Sequence, residues 1–342
     1  MTLSRLLDLG FERTDDALVA TEARRVDRRT VLVTTSRPAM GTLVAVSALG
    51  RSQGGVEEAI GRAFEEMDRL IGIFSRFDAA SPLTALNDAG RLDGPPPELV
   101  YVVARALRYH AITGGAFDIS VAPLVNLFRE RLRGPAPRAP SDDEITEALA
   151  LVGAHQVTAS ERAITLGRRG MGITLDGIAK GYIVDAMARA LAFGAVRGFL
   201  INAGGDIRTS GTRDDGRPWT VGVRDPRASG AFPDVIHVTD AAVATSGGYE
   251  IAFDPEGRFH HIVDGTTGRS PNHHASVSVI APTATAADAL ATAVFVLGAA
   301  RGLALVEALA GCECLILDHD APPRRSSGWR SAMPETHIDT EH

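Results

Sequence analysis

The sequence predicts an α+β fold, with mixed or antiparallel sheets flanked by helices. Helical and strand-like segments alternate irregularly, without the steady βαβ rhythm of a doubly wound sheet. Residues 196–280 are mostly strand and turn, and no internal repeat is present.

The elements follow in order. Residues 1–30 read as a weakly ordered arm. Residues 31–49, rich in Val and Thr, predict two short strands broken at Arg37-Pro38. Residues 54–74 lay Val56, Ile60, Phe64, Met67, Ile71 and Phe74 along one helical stripe. A second helix over 97–113 opens with prolines and closes at Gly114-Gly115. Residues 134–140 contain three prolines and read as a loop. Ser141 and Glu144 have capping-box spacing for a helix running to about Val152. A hairpin is expected over 155–166, then a strand over 173–175 feeding a helix over 178–193. Residues 286–297 predict a buried helix, a further helix runs to Leu309, and 312–317 predict a strand. Residues 319–342 are polar and proline-rich and read as a poorly ordered tail, leaving 31–318 as the folded domain.

Bulk properties bound the function. Apolar residues make up 45% of 342, enough for a large core without staples. Lys plus Arg number 35 against 42 Asp plus Glu, a net charge of -7 that argues against a general nucleic-acid binder. An anionic ligand would need a metal or a few locally placed basic groups. Cys312 and Cys314 lack zinc-spaced partners and read as strand residues. No apolar run reaches the roughly 18 residues of a membrane span. Residues 1–30 lack the apolar run and cleavage site of a secretory signal, so a cytoplasmic protein is expected.

Four clusters could carry chemistry. Asp288 and Thr292, four apart on a helix, put two hard oxygen donors on one face, suited to Mg²⁺. On spacing alone, the plainer reading prevails: Asp288 favours the positive start of its helix and Thr292 is a filler. Leu175-Asp176-Gly177-Ile178-Ala179-Lys180 sits where a strand turns into a helix, offering backbone N–H groups and an ammonium to an anion, or forming only a tight turn. Asn202-Ala203-Gly204-Gly205-Asp206 permits close ligand approach or a sharp turn. Ser246-Gly247-Gly248-Tyr249 precedes His260-His261-Ile262-Val263-Asp264, a possible acid–base pair or structural histidines.

The joint order of these blocks is specific. Met40-Gly41-Thr42, SRFDAASPLTALN over 75–87, and Gly115-Ala116-Phe117-Asp118-Ile119-Ser120 come first. Gly177 to Tyr182 with Asp185, 202–211, Ala244-Thr245-Ser246-Gly247, 261–268 and 287–292 follow. Across roughly residues 36–318 this order resembles the ApbE-type FAD:protein FMN transferase family.

The resemblance implies a single compact unit of two lobes. It implies Mg²⁺-dependent cleavage of FAD, the substrate, with FMN passed to a Ser or Thr hydroxyl of an acceptor protein and AMP released. Gly177, Asp288 and Thr292 would hold the metal. His261 would be the base, with Asp264 beside it. Met40, Phe77, Ala116, Phe117, Asp118, Thr174, Lys180, Ser246 and Ile262 would hold the flavin and adenosine parts. The chain departs from the family pattern at Thr174 (usually Asp), Asp176 (usually Gly), Gly265 (usually Pro) and Phe77 (usually Tyr). Two other readings stay open: an FAD pyrophosphatase giving FMN and AMP, and a non-catalytic flavin-binding module.

Overall fold

Val31, Val33, Val44, Val46 and Ala48 are buried while the residues between them are less so, the period-2 pattern of strands with one face on a core. The computed structural model describes residues 12–13, 18–134, 136–193, 195–227 and 232–333. In chain order its elements are β1 (Glu12–Arg13), β2 (Leu18–Arg25), β3 (Val31–Ala39), β4 (Thr42–Gly50), α1 (Gln53–Phe74), α2 (Pro82–Ala89), β5 (Arg91–Asp93) and α3 (Pro97–Ile112). Next are α4 (Ala122–Arg133), α5 (Asp142–Leu149), β6 (Val157–Ala159), β7 (Ala163–Leu166), α6 (Ala179–Ala192), β8 (Val196–Ala203), β9 (Asp206–Ser210), β10 (Trp219–Val223) and β11 (Asp234–Val238). The last are β12 (Ala242–Ser246), β13 (His274–Ala281), α7 (Ala284–Leu297), α8 (Ala299–Glu307), β14 (Glu313–Asp318) and β15 (Arg324–Arg325).

One antiparallel sheet runs in the order β1-β2-β3-β4-β8-β9-β12-β13-β14-β15. β10-β11 and β5-β7-β6 form two small sheets. The α+β expectation therefore holds, with antiparallel pairing throughout the described strands. Helices α1, α6 and α7 pack side by side in the main core. α6 and α7 are buried on most of their surface, as expected of helices apolar nearly all round. On α1, Leu70 is fully buried and Ile71 only half-buried, so the stripe sits one residue off its predicted line there.

Several expectations need correction. The first strand does not break at Arg37-Pro38. The β2 register ends at Ser36, so Pro38 faces no partner on that side and its missing N–H costs little, while it still opposes Leu43 of β4. The turn lies at Met40-Gly41, where φ of 51° and 73° suits a tight hairpin. Residues 173–175 form no strand. Ile173 is partnered by a side chain: Asn87 donates to its carbonyl at 2.9 Å and accepts its N–H at 2.8 Å. Within the predicted arm, residues 18–25 form β2 on the sheet, and 1–11 and 14–17 lie outside the described residues. Within the predicted tail, Arg324 and Arg325 pair with β14, and buried Trp329 donates its indole N–H to Asp234 at 3.0 Å. Residues 334–342 lie outside the described residues. No described helix is long and apolar enough to cross a membrane.

Candidate active site

A cleft of about 1130 Å³ opens beside the start of α6 and the middle of α7. Its volume suits a ligand larger than most drug-sized molecules. Every site residue predicted from the sequence lines it except Asp264.

One end is built by helix contacts. Thr283 caps α7 by accepting the Ala286 N–H, and the buried Asp185 of α6 accepts the Ala284 and Thr285 N–H groups, each at 2.9 Å. These bonds satisfy first-turn donors of α7 that would otherwise be orphaned. They fix α7 against α6. A Cβ on Gly181 would lie 2.3 Å from the Ala284 carbonyl oxygen, so only glycine fits that crossing. There Asp288 Oδ2 accepts the Gly181 N–H at 3.0 Å. One turn on, Thr292 Oγ1 lies 3.3 Å from Ser246 Oγ, and a Cβ on Gly177 would come within 2.8 Å of it. Burial, then the charge of Asp206, push the Asp288 carboxyl well above the usual carboxylate range. A cation beside it would reverse that penalty.

Among the described residues no three His, Cys, Asp or Glu side chains converge as a metal cluster. A cation at this end would instead meet a mixed set: the Asp288 carboxylate, the Thr292 hydroxyl and the backbone at Gly177. These are hard oxygen donors, and the space is one that a Cβ at Gly177 would invade. The residues fit Mg²⁺.

Lys180 sits one helical step from Gly181. Its Nζ lies 3.3 Å from Asp206 Oδ2 and 3.7 Å from Glu250 Oε2. Asp206 is almost fully buried, and its charge holds the lysine protonated, well above its ordinary range. Glu250 is pushed up to about 7 by burial, with Lys180 pulling it down and Asp206 pushing it further up. Two members of this trio were not anticipated as partners. The signal was available in principle: a lysine at a buried helix start needs a carboxylate, and Asp206 follows the Gly204-Gly205 turn.

His261 also faces the cleft. Its backbone N–H donates to Ile251 at 3.1 Å, and its Nδ1 is buried with no hydrogen-bond partner. Burial pushes its pKa down to about 4, against the raising effect of the Asp176 charge. At neutral pH the ring is unprotonated and able to accept a proton. His260, by contrast, spends Nε2 on the Pro271 carbonyl at 2.9 Å inside the core. The expected partner Asp264 does not reach the cleft. Its Oδ1 accepts the Thr266 N–H at 2.8 Å and the Thr266 hydroxyl at 2.7 Å, and its Oδ2 accepts the Thr267 hydroxyl at 3.1 Å. In a DGTTG turn the acid is consumed by its own loop.

The other residues predicted from the sequence also line the cleft. Met40 is held at the β3–β4 turn, and Ala116 and Phe117 form a buried wall. Asp118 accepts the Ser120 N–H at 2.7 Å and so shapes the short 3-10 turn Ile119–Val121. Thr174 is buried. Its N–H donates to Ile119 at 2.8 Å and its hydroxyl oxygen accepts the Asp176 N–H at 3.3 Å. Ile262 is buried beside His261. Phe77 stands at the rim, 75% exposed.

The ApbE family model matches residues 40–316. An FAD:protein FMN transferase of Treponema pallidum is 34% identical over 311 residues, covering 84% of this chain and 85% of that protein. One from Haemophilus influenzae is 30% identical over 295 residues, covering 82% and 85%. A crystal structure of an ApbE protein from Thermotoga maritima superposes with a TM-score of 0.76 at 33% identity, covering 86% of this chain and 97% of that one. On the match over nearly all of the folded region, this chain belongs to the ApbE family.

Proposed function

We propose that this protein moves FMN from FAD onto a Ser or Thr hydroxyl of an acceptor protein, releasing AMP, in a Mg²⁺-dependent reaction. The observation that carries this reading is one cleft holding a buried hard-oxygen end (Asp288, Thr292, Gly177), a buried lysine and an unprotonated histidine. Family membership adds the reaction class of the relatives.

Bound at Asp288, Thr292 and the Gly177 backbone, Mg²⁺ would act as a Lewis acid on the pyrophosphate. The chain's own groups do the rest. Lys180, kept charged by Asp206, adds a fixed positive charge beside the phosphates. His261, unprotonated and lining the cleft, accepts the proton of the incoming hydroxyl. The apolar wall of Ala116, Phe117 and Ile262 excludes water and holds the flavin. Thr174 presents a hydroxyl toward the adenosine half.

The test is intact-mass spectrometry of an acceptor of a related transferase after incubation with this protein, FAD and Mg²⁺. The acceptor should gain the mass of one FMN. Free FMN and AMP with no added mass would mean hydrolysis. Unchanged FAD that remains tightly bound would mean a binding module.

A further inference from the structure

Charged side chains of the cleft fall in two groups. In one, beside α7, Lys180 pairs with Asp206 and Glu250, and Asp288 accepts the N–H of the next residue, Gly181. In the other, two guanidiniums accompany one carboxylate. Arg76 and Arg129 stack on the exposed ring of Phe77, with Cζ at 4.8 and 5.3 Å from its centroid. Arg76 Nη2 lies 2.8 Å from Asp176 Oδ2, an ion pair without hydrogen-bond geometry.

Arg76 is not a surface arginine. Its side chain is only 8% exposed, yet it lines the cleft, and Nε and Nη1 are buried without a hydrogen-bond partner among the described residues. Leaving charged donors buried and unmatched is costly, so such groups imply an acceptor supplied by a ligand. Asp176 anchors the guanidinium to the residue beside Gly177. Arg76 therefore stands beside the metal end.

We propose that Arg76 binds the phosphate of the departing adenylate. The inference rests on the FMN-transfer reading above. In that reaction the acceptor oxygen forms a bond to the FMN phosphorus. The bond from that phosphorus to the bridging oxygen breaks, and its electron pair stays on the oxygen that leaves with AMP. The hydroxyl proton passes to His261 and then to solvent. Negative charge thus grows on the adenylate phosphate, and the guanidinium of Arg76, which lines the cleft, meets it. Asp176 and Phe77 act as positioning residues, one holding Nη2 and the other the flat face of the guanidinium. The acid that stands at 176 rather than 174 thereby gains a use: it orients a cation instead of contacting the adenosine directly.

The test is isothermal titration of the full-length protein with AMP, adenosine and FMN, comparing wild type with Arg76→Gln, Arg76→Lys and Asp176→Asn. Arg76→Gln should weaken AMP at least about 10-fold and leave adenosine and FMN within about two-fold. Arg76→Lys should recover part of the loss. Asp176→Asn keeps an oxygen for Arg76 and removes the opposing charge, so AMP should bind as tightly as before or more tightly. A purely structural ion pair would instead weaken AMP equally in Arg76→Gln and Asp176→Asn, which overturns the proposal. So would unchanged AMP affinity in Arg76→Gln, or a loss confined to FMN. Binding is read without turnover, so a wild type that binds AMP but attaches no FMN would sink the transfer reading separately.

Discussion

Asp288 on α7 accepts the backbone N–H of Gly181 on α6 at 3.0 Å, so the carboxylate proposed for the metal is held by the helix that carries Lys180. The contact exists because Gly181 lets the helices touch. Gly181→Ala would place a Cβ 2.3 Å from the Ala284 carbonyl oxygen and 2.9 Å from Asp288 Cβ. Neither is a flexible side-chain tip, so the helices must separate. Urea unfolding should show a loss of about 1–3 kcal/mol. Wild-type stability in this variant would contradict the packing described.

Gly177→Ala tests the other side of the metal end. Its Cβ would crowd Thr292 Oγ1 at 2.8 Å and Phe117 at 3.3 Å. The Mg²⁺ concentration for half-maximal FMN attachment should rise at least about 10-fold, equivalent to one lost oxygen contact. An unchanged Mg²⁺ dependence would remove Gly177 and Thr292 from the metal end.

Lys180 neutralises a buried acid. Lys180→Met leaves Asp206 without its cation, and removing one partner of a buried pair costs about 3–5 kcal/mol. Adding Asp206→Asn should return much of that stability. Equal stability of Lys180→Met and wild type in urea would show that Asp206 is not held by the lysine.

His261 sets a pH signature. Its folded pKa is lowered to about 4, whereas an unfolded histidine titrates near 6.5. Between those values the unfolded chain binds a proton that the folded chain does not. The stability from burying neutral His261 is therefore full above about 6.5 and is lost as pH falls toward 4. Glu250 acts in the opposite sense, since its raised pKa of about 7 removes stability as pH rises from the ordinary carboxylate range. NMR titration of the ring separates the two. The His261 signal should shift with a midpoint near 4, and a midpoint near 6.5 would mean that the ring is solvated.

Sequence patterning located much of the scaffold because burial leaves a period: the α1 stripe and the Ser141–Glu144 capping box were readable, while residues 196–280 were legible only as strand and turn. The Arg37-Pro38 break was misread because a proline opposite a vacant register position is tolerated. Residues 173–175 have strand character, but Ile173 pairs with the Asn87 side chain, a long-range bond that local pattern does not encode. The blocks carrying Asp288, Thr292, Gly177 and His261 were legible through their order. Asp264 was not separable from its turn, because an acid three residues after a histidine looks the same whether it caps a loop or faces a ligand. The Arg76–Asp176 and Lys180–Asp206–Glu250 contacts join residues far apart in sequence, and only the fold brings them together.

The central claim is FMN transfer at a metal end built on Asp288. It is tested most directly by counting AMP released and FMN covalently attached, in the same reaction, for wild type and Asp288→Ala with FAD, Mg²⁺ and acceptor. The wild type should give one AMP for each FMN attached, and Asp288→Ala should attach FMN at least about 100-fold more slowly, about 2.7 kcal/mol in the barrier. Equal attachment rates for the two proteins, or AMP released by the wild type without attached FMN, would contradict the account.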